Sequence, residues 1–358
     1  MPVSPSQSSV PGELAATGGE ALRARPRQRL AWLMAVALVL GLLAGLATGA
    51  DGLSVSALWS DLHGDQAALI IAEIRLPRTL GAALVGALLG LGGALAQGVF
   101  RNPLADPFLL GSAAGASLGV LLVLAAASAQ GVVLGLAGAA WIEHLGLVAG
   151  AFVGAWGGVM LTLVLARGAA HTLRLLLAGV VVGAMLGAVG DLVTSLAPNL
   201  LRGKQAFTLG STSVLGWSAV ALMVPGLVGL LALAWRQARV LDALTLGDDS
   251  ATSLGLDLRW QRLGLVAMLA AATALAVSQA GLVAFVGLVA PHLVRRHAPG
   301  PHRWLLLASA AMGATLLLAA DLLSRLVIAP QELPLGVVTA ILGGAYLLVL
   351  LRRRAQLV

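Results

Sequence analysis

Apolar segments alternate with short polar loops from residue 30 to residue 351 of this chain. A helix needs about 20 consecutive apolar residues to cross the hydrocarbon core of a bilayer, and ten segments reach or approach that length. The eighth is short and contains Pro291, so a re-entrant segment is the alternative for these residues. The pattern predicts an all-α polytopic membrane protein with about ten transmembrane helices. The segments are residues 30–50, 79–100, 107–129, 146–166, 175–196, 217–235, 263–280, 281–294, 304–322 and 335–351.

The cations are distributed unequally between the two sides of this arrangement. If the N-terminus lies inside, seventeen of the 22 Lys and Arg residues fall on the inner side. An excess of cations in cytoplasmic loops fixes the orientation of a membrane protein. Dropping the eighth segment would largely remove the excess, so the distribution favours ten helices with both termini in the cytoplasm. Five cations fall outside and need another explanation: Arg75, Arg78, Arg202, Lys204 and Arg325.

The composition agrees with an integral membrane protein. Charged residues make up 10% of the chain and hydrophobic residues 59%, whereas soluble domains contain about 25% charged residues. The formal net charge of +7 could suggest a nucleic-acid partner, but the arginines are spread over the loops without interleaved aromatic residues. We therefore expect no nucleic-acid binding. Cysteine is absent, which excludes disulfides and thiolate metal sites.

The N-terminal region differs from the rest of the chain. Residues 1–28 are rich in Pro, Ser, Gly and Arg, which predicts a disordered cytoplasmic tail. Residues 29–358 then form the membrane domain. The apolar segment 30–50 is longer than the hydrophobic region of a typical signal peptide, so we expect it to be an uncleaved first helix.

Glycine recurs at intervals of four residues in three of the apolar segments. This spacing places glycines on one face of a helix, where they allow two backbones to approach closely. Close packing is the favoured interpretation, and a smooth pore-lining face is the alternative. The three ridges are residues 111, 115 and 119, residues 146, 150, 154 and 158, and residues 179, 183 and 187.

Sequence motifs for catalysis are absent. Lys204 follows a glycine but precedes Gln205, so the chain has no nucleotide-binding P-loop. His292 could ligate a metal, but a lone histidine is more often an interfacial group, and we expect neither a metal nor a cofactor. Asp321 and Arg325 are four residues apart and should pair on one helix face. No span carries the chain of acids or histidines typical of an ion-coupled relay, which weakens a secondary transporter without excluding it.

The longest inner loop, residues 240–257, has a regular pattern. It predicts two short amphipathic helical pieces joined at Gly247. Asp248 and Asp249 would open the second piece, because carboxylates favour a helix N-terminus, and Gly255 would close it. Such a loop could be gripped by a cytoplasmic protein, or it could be a simple connector.

Several motifs together resemble those of the FecCD-type permeases, the membrane subunits of ABC importers for iron–siderophores, haem and vitamin B12. The resemblance covers residues 30–354, and its motifs occur in the family's order. They are Ile74-Arg75-Leu76-Pro77-Arg78, Gln97, Arg101-Asn102-Pro103-Leu104-Ala105-Asp106-Pro107, Leu244-Thr245-Leu246-Gly247, Phe285-Val286-Gly287-Leu288-Val289-Ala290-Pro291-His292 and Glu332-Leu333-Pro334-Leu335-Gly336-Val337-Val338-Thr339.

The resemblance implies a type II ABC importer permease fold in a bacterial inner membrane, with an inverted repeat of helices 2–5 and 7–10. It implies a homodimer, two cytoplasmic subunits that bind ATP and Mg, and a periplasmic binding protein. The implied binding-protein docking residues are Arg75, Arg78 and Arg325. The implied ATPase-coupling residues are Leu244, Leu246, Gly247, Ala251, Leu254 and Gly255. The implied cytoplasmic gate is Thr172, Asn102 and Leu104, although Leu173 stands where the family often has Ser or Thr.

The expected function is ATP-driven import of an iron chelate, either a ferric siderophore or haem, by alternating access. Import of vitamin B12 by the same machinery is the alternative, because these permeases share their motifs. An ion-coupled secondary transporter and a passive channel or membrane scaffold remain as rivals from other classes. The sequence itself does not choose the cargo.

Overall fold

The computed structural model describes residues 12–49, 52–53, 65–129, 140–169 and 171–355, and these are almost entirely helical. Two antiparallel strands of two residues each, β1 and β2, follow the first helix. A π-helical turn, Ile71–Arg75, joins α2 to α3. The elements are α1 Gly12–Ala47, β1 Thr48–Gly49, β2 Gly52–Leu53, α2 Asp65–Ile70, α3 Leu76–Val99, α4 Ser112–Ala129, α5 Ala140–Leu165, α6 Thr172–Leu196, α7 Leu201–Leu209, α8 Trp217–Thr245, α9 Asp248–Ser253, α10 Leu258–Ala280, α11 Val286–His297, α12 His302–Leu326 and α13 Leu335–Ala355.

The predicted all-α membrane class is confirmed. Within the described residues, seven helices are long and apolar enough to cross a bilayer, and two shorter apolar helices, Ser112–Ser128 and Leu335–Leu350, accompany them. The seven are Arg25–Ala47, Ala68–Val99, Leu145–Leu165, Thr172–Leu196, Trp217–Thr245, Leu258–Ala280 and His302–Leu326.

The predicted helix over residues 281–294 is found in part, as α11 from Val286 to His297. Gly281 ends α10 with a φ of 70°, and Phe285 also has a positive φ, 66°, so the backbone between α10 and α11 is not helical. Helix α11 has 12 residues, which corresponds to about 18 Å, short of the roughly 30 Å hydrocarbon core. This segment therefore does not cross as a single helix.

The N-terminal helix begins earlier than predicted. Residues 12–28, which the composition assigns to a disordered tail, form the first part of α1, and residues 1–11 lie outside the described part of the chain. Ala, Leu and Glu are frequent from residue 13 to residue 22, and these are among the best helix formers. This local propensity accounts for the difference.

Helix α3 is the buried centre of the described structure. It packs against α8, α10, α11 and α12, and 83% of its most apolar 18-residue stretch is buried. Glycines make this possible, because a Cβ added at Gly86 or Gly90 would overlap a backbone carbonyl of α12, and one added at Gly93 would overlap the carbonyl of Gly287 in α11. Close backbone contact of this kind holds helices together in lipid.

The first two predicted glycine ridges pack against each other. Gly115 and Gly119 of α4 face Gly154 and Gly150 of α5, and a Cβ on Gly115, Gly119 or Gly154 would overlap the facing carbonyl. The packing interpretation is therefore confirmed for these two ridges.

The third ridge is only partly packed. Gly179 of α6 lies against the carbonyl of Leu109, whereas a Cβ at Gly183 would approach only Gly111, at 3.9 Å, and one at Gly187 would meet nothing within 4 Å. Helix α6 also exposes apolar side chains along its length, and only 22% of its most apolar window is buried in this chain. The face around Gly187 is open within a single copy.

Two glycines of α5 give a matched test of this packing. Gly154→Ala should lower the free energy of unfolding by about 1–3 kcal/mol, because backbone atoms cannot rotate away from the added methyl group. Gly157→Ala, on the same helix, should be neutral or stabilising, since nothing lies within 4 Å of that position and Ala favours helix. Thermal unfolding in detergent measures both, and equal shifts would contradict the ridge contact.

Candidate functional site

Two of the predicted docking arginines, Arg78 and Arg325, belong to an ionic cluster at one end of the helices. Arg78, in the first turn of α3, donates to both carboxylate oxygens of Glu332 at 2.7 and 2.8 Å. Its guanidinium also lies 3.5 Å from Asp321 of α12. Asp321 is fully buried and accepts from Arg325 and from the Thr212 hydroxyl. The predicted pairing of Asp321 with Arg325 is confirmed.

The same cluster closes the end of the first helix. Arg75 donates to the carbonyl of Leu46 at 3.1 Å, and Arg325 donates to the carbonyl of Gly45 at 3.4 Å. The last carbonyls of a helix have no intrahelical partner, and cations are favourable there. Arg325 is 6% exposed, so it serves the interior of the chain. Arg75 and Arg78 are the two docking candidates that a partner could reach.

Glu332 is the acidic member of the cluster at the surface. The Arg78 guanidinium holds the pKa of Glu332 below its ordinary value through their hydrogen bonds, while partial burial acts in the opposite direction. Glu332 is therefore ionised at neutral pH. The sequence placed Glu332 in a family motif but gave no sign of this partner, because 254 residues separate Glu332 from Arg78.

The two remaining outer cations lie on the short helix α7. Lys204 bonds to Asp191, near the end of α6, at 2.6 Å, and Arg202 is exposed. Lys204 therefore forms a local ion pair between α6 and α7. The Asp191 side chain of this pair is 77% exposed.

At the other end of the helices, the coupling segment departs in part from its prediction. The first predicted piece is the continuous end of α8, which runs to Thr245. Gly247 has a φ of 104°, and α9 then begins with Asp248 and Asp249 as predicted. Gly255 ends the segment with a φ of 81°, a left-handed conformation that glycine adopts without a steric penalty.

The predicted coupling residues divide into exposed and buried sets. Leu246 and Leu254 flank α9 and are 66% and 65% exposed, whereas Leu244 and Ala251 are fully buried. The buried pair packs α9 onto α8 and the core. Among the predicted coupling residues, Leu246 and Leu254 therefore offer apolar surface to a partner.

Two of the predicted gate residues lie in the loop after α3. Asn102 and Leu104 are exposed, and the Asn102 side chain accepts a hydrogen bond from the Leu104 N–H at 2.9 Å. Asp106 ends the loop by accepting from the Phe108 N–H, at the start of the 3-10 helix Pro107–Leu110. Burial raises the pKa of Asp106 to about 6, although this hydrogen bond lowers it.

The third gate residue is on a different element. Thr172 is the first residue of α6. The structure connects it to the loop indirectly, because α6 packs on the 3-10 helix Pro107–Leu110 that follows the loop. The hydrogen bond within the loop holds Asn102 and Leu104 in one turn. Thr172 lies on α6, and the 3-10 helix is the element between them.

A carboxylate connects the coupling helix to this loop. Asp248 of α9 lies 2.9 Å from Arg101 and 2.7 Å from Arg262 of α10. Arg262 is 1% exposed. The sequence placed all three residues near the inner surface but did not pair them.

His292 is buried in α11, and its ring packs edge-on against Tyr346 at a centroid distance of 5.9 Å. Among the residues that the structure describes, no group of three or more His, Cys, Asp or Glu side chains could hold a metal ion. The surroundings of His292 therefore indicate a packing role.

Comparison with known proteins gives a consistent result. The profile of the FecCD transport family matches residues 37–353. The chain is 38% identical to the hemin transport system permease protein of Yersinia pestis over 93% of this chain and 98% of that protein. It is also 38% identical to the vitamin B12 import system permease protein of Escherichia coli O17:K52:H18, with the same coverage.

A solved structure has the same fold. It is described as an inward-facing conformation of a metal-chelate type ABC transporter. It superposes with a TM-score of 0.77 at 26% identity, covering 91% of this chain and 99% of that chain.

Two aspartates that differ in exposure, Asp321 and Asp191, test the importance of burial. Asp321→Asn should cost about 3–5 kcal/mol of unfolding free energy, because it leaves Arg325 buried without its carboxylate. Asp191→Asn removes an exposed carboxylate from its pair with Lys204 and should cost less than about 1 kcal/mol. Thermal unfolding of both variants in detergent measures the difference, and similar losses would show that the Asp321 cluster does not stabilise the fold.

Proposed function

The chain belongs to the FecCD transport family and is a permease subunit of an ABC importer, and we propose that it imports an iron chelate, a ferric siderophore or haem. The observation that carries this proposal is the match over nearly the whole length to a hemin permease, together with a fold shared with a metal-chelate transporter. Vitamin B12 is the second candidate, because a vitamin B12 permease is related to the same degree.

The proposed mechanism is ATP-driven alternating access in a bacterial inner membrane. The sequence contains no P-loop, so separate subunits would bind ATP and Mg on the cytoplasmic side. Two copies of the chain would form the pathway. The apolar side chains that α6 exposes and the open space around Gly187 support this arrangement, because a second copy could cover them.

The proposed ATPase contact is the exposed pair of leucines beside α9. An apolar side chain that is two-thirds exposed gains from burial against a partner. Leu246 and Leu254 meet this condition, while Leu244 and Ala251 hold α9 in place from within. Because Leu244 and Ala251 are buried and Leu246 and Leu254 are exposed, a partner bound to the exposed pair would move α9 as a unit.

The proposed docking surface for a periplasmic binding protein consists of Arg75 and Arg78. Both are partly buried, so their charges are less screened than those of freely solvated side chains. A carboxylate on the binding protein would compete with Glu332 for Arg78. Electrostatic complementarity of this kind sets orientation and association rate.

Reconstitution tests the proposed cargo and the proposed source of energy together. Proteoliposomes containing the permease and its ATPase, with the binding protein outside, should accumulate haem or a ferric siderophore only when ATP is inside. Double substitution of Leu246 and Leu254 by Asp should detach the ATPase. The control is Val327→Asp, at an outer position that is 61% exposed. It should leave the number of ATPase subunits bound per permease unchanged. Uptake of cobalamin alone would favour the second candidate, and uptake driven by an ion gradient without ATP would reject the mechanism.

The docking surface can be tested by binding measurements. Arg75→Gln and Arg78→Gln together should weaken association of the binding protein at low salt by about tenfold or more, because close charge pairs at an interface contribute 1 kcal/mol or more. Arg202→Gln removes an exposed outer cation away from the cluster and serves as the control. Equal losses in both cases would indicate a general charge effect, and unchanged affinity would exclude docking at Arg75 and Arg78.

A further inference from the structure

Asp248 of α9 contacts both the next helix, α10, and a loop that is distant in sequence. One of its carboxylate oxygens lies 2.7 Å from the Arg262 guanidinium of α10 and 2.9 Å from the Arg101 guanidinium. Asp248 is the first residue of α9, and Arg101 follows the end of α3. The junction therefore connects the coupling helix to the loop that holds Asn102 and Leu104.

The two arginines of the junction differ in their surroundings. Arg262 is 1% exposed and lies within the long helix α10, so its charge needs a partner, and it fixes Asp248 on the side of the core. The Arg101 side chain is 36% exposed. Arg101 has a φ of 49°, a left-handed conformation that is uncommon for residues other than glycine. The surrounding contacts hold this backbone, and the bond to Asp248 is one of them.

We propose that Asp248 is a positioning residue that transmits movement of α9 to the 101–106 loop through its bond with Arg101. The inference rests on the proposed function, in which an ATPase moves α9. Helix α9 packs on α8 and α10, and the bond between Asp248 and Arg101 is an ionic contact between α9 and the loop. When α9 moves, the ionic contact pulls on the backbone immediately before Asn102. The adjoining 3-10 helix carries that displacement to α6.

A purely structural role for Asp248 makes a different prediction. An acid in the first turn of a helix stabilises that helix through the helix dipole, and Asp249 occupies the same turn of α9. If the dipole were the whole effect, loss of either charge would have similar consequences. The bond to Arg101 distinguishes the two residues, and Arg101 can be changed without leaving Arg262 unpaired.

The experiment uses the reconstituted complex of permease, ATPase and binding protein. Arg101→Asn removes the charge, and Asn tolerates a left-handed backbone. The measurements are ATPase stoichiometry, the rate of ATP hydrolysis and cargo imported per ATP. Arg101→Asn should bind the ATPase normally but lower cargo per ATP about tenfold, within the usual range for coupling between sites. Arg101→Lys should restore most of the ratio, and Asp249→Asn should leave it unchanged.

The outcomes separate this inference from the proposed function. If wild-type permease binds no ATPase, the proposed function itself fails. If wild-type import depends on ATP and Arg101→Asn keeps the same cargo per ATP, only the role of Asp248 is rejected. An equal loss in Asp249→Asn would show that any change of charge beside α9 lowers cargo per ATP, and it would also reject the specific role of Asp248. Arg101→Gln is a second neutral variant for the same comparison if Arg101→Asn does not accumulate.

Discussion

The structure depends on the direct approach of helix backbones at glycine. In a bilayer, apolar side chains gain little by leaving lipid for a neighbouring helix, so close packing must supply the attraction. Around α3, glycines let the backbones of α11 and α12 come so close that no side chain fits between them. The same device joins α4 to α5. These contacts fix the relative positions of the helices whose ends carry the charged clusters.

Helix α3 connects the two proposed working ends of the permease. Arg75 and Arg78 lie at its start, where Arg78 contacts Asp321 and Glu332, and Arg101 lies just beyond its end, in contact with Asp248. The helix has 24 residues and is therefore about 36 Å long. Because it is buried on all sides, α3 is a rigid reference between the outer surface and the coupling helix. In the proposed mechanism, movement would fall to the less enclosed elements, α6 and α9.

Local sequence patterns predicted the features that depend on neighbouring residues. The glycine spacing predicted the contact between α4 and α5, and the four-residue spacing of Asp321 and Arg325 predicted their ion pair. The start of α9 at Asp248 and the glycine turn at Gly255 that follows it also followed from local rules. Local rules failed at the beginning of residues 281–294, where the apolar pattern predicted a helix but Gly281 and Phe285 have positive φ angles. They also failed at residues 12–28, where helix-forming residues outweighed the disordered composition.

The sequence by itself determined the membrane class, the approximate position of most helices and the family, because apolar length, glycine spacing and motif order are all properties of short segments. Only the tertiary structure decided which charges meet. Arg78 with Glu332, and Asp248 with Arg101, are far apart along the chain, and the packing of the glycine-lined helices brings them together. The tertiary structure also decided which residues are buried. Arg325 is more buried than Arg75 and Arg78, and Leu244 and Ala251 are buried whereas Leu246 and Leu254 are exposed. Exposure depends on neighbours from distant segments, which no local pattern records.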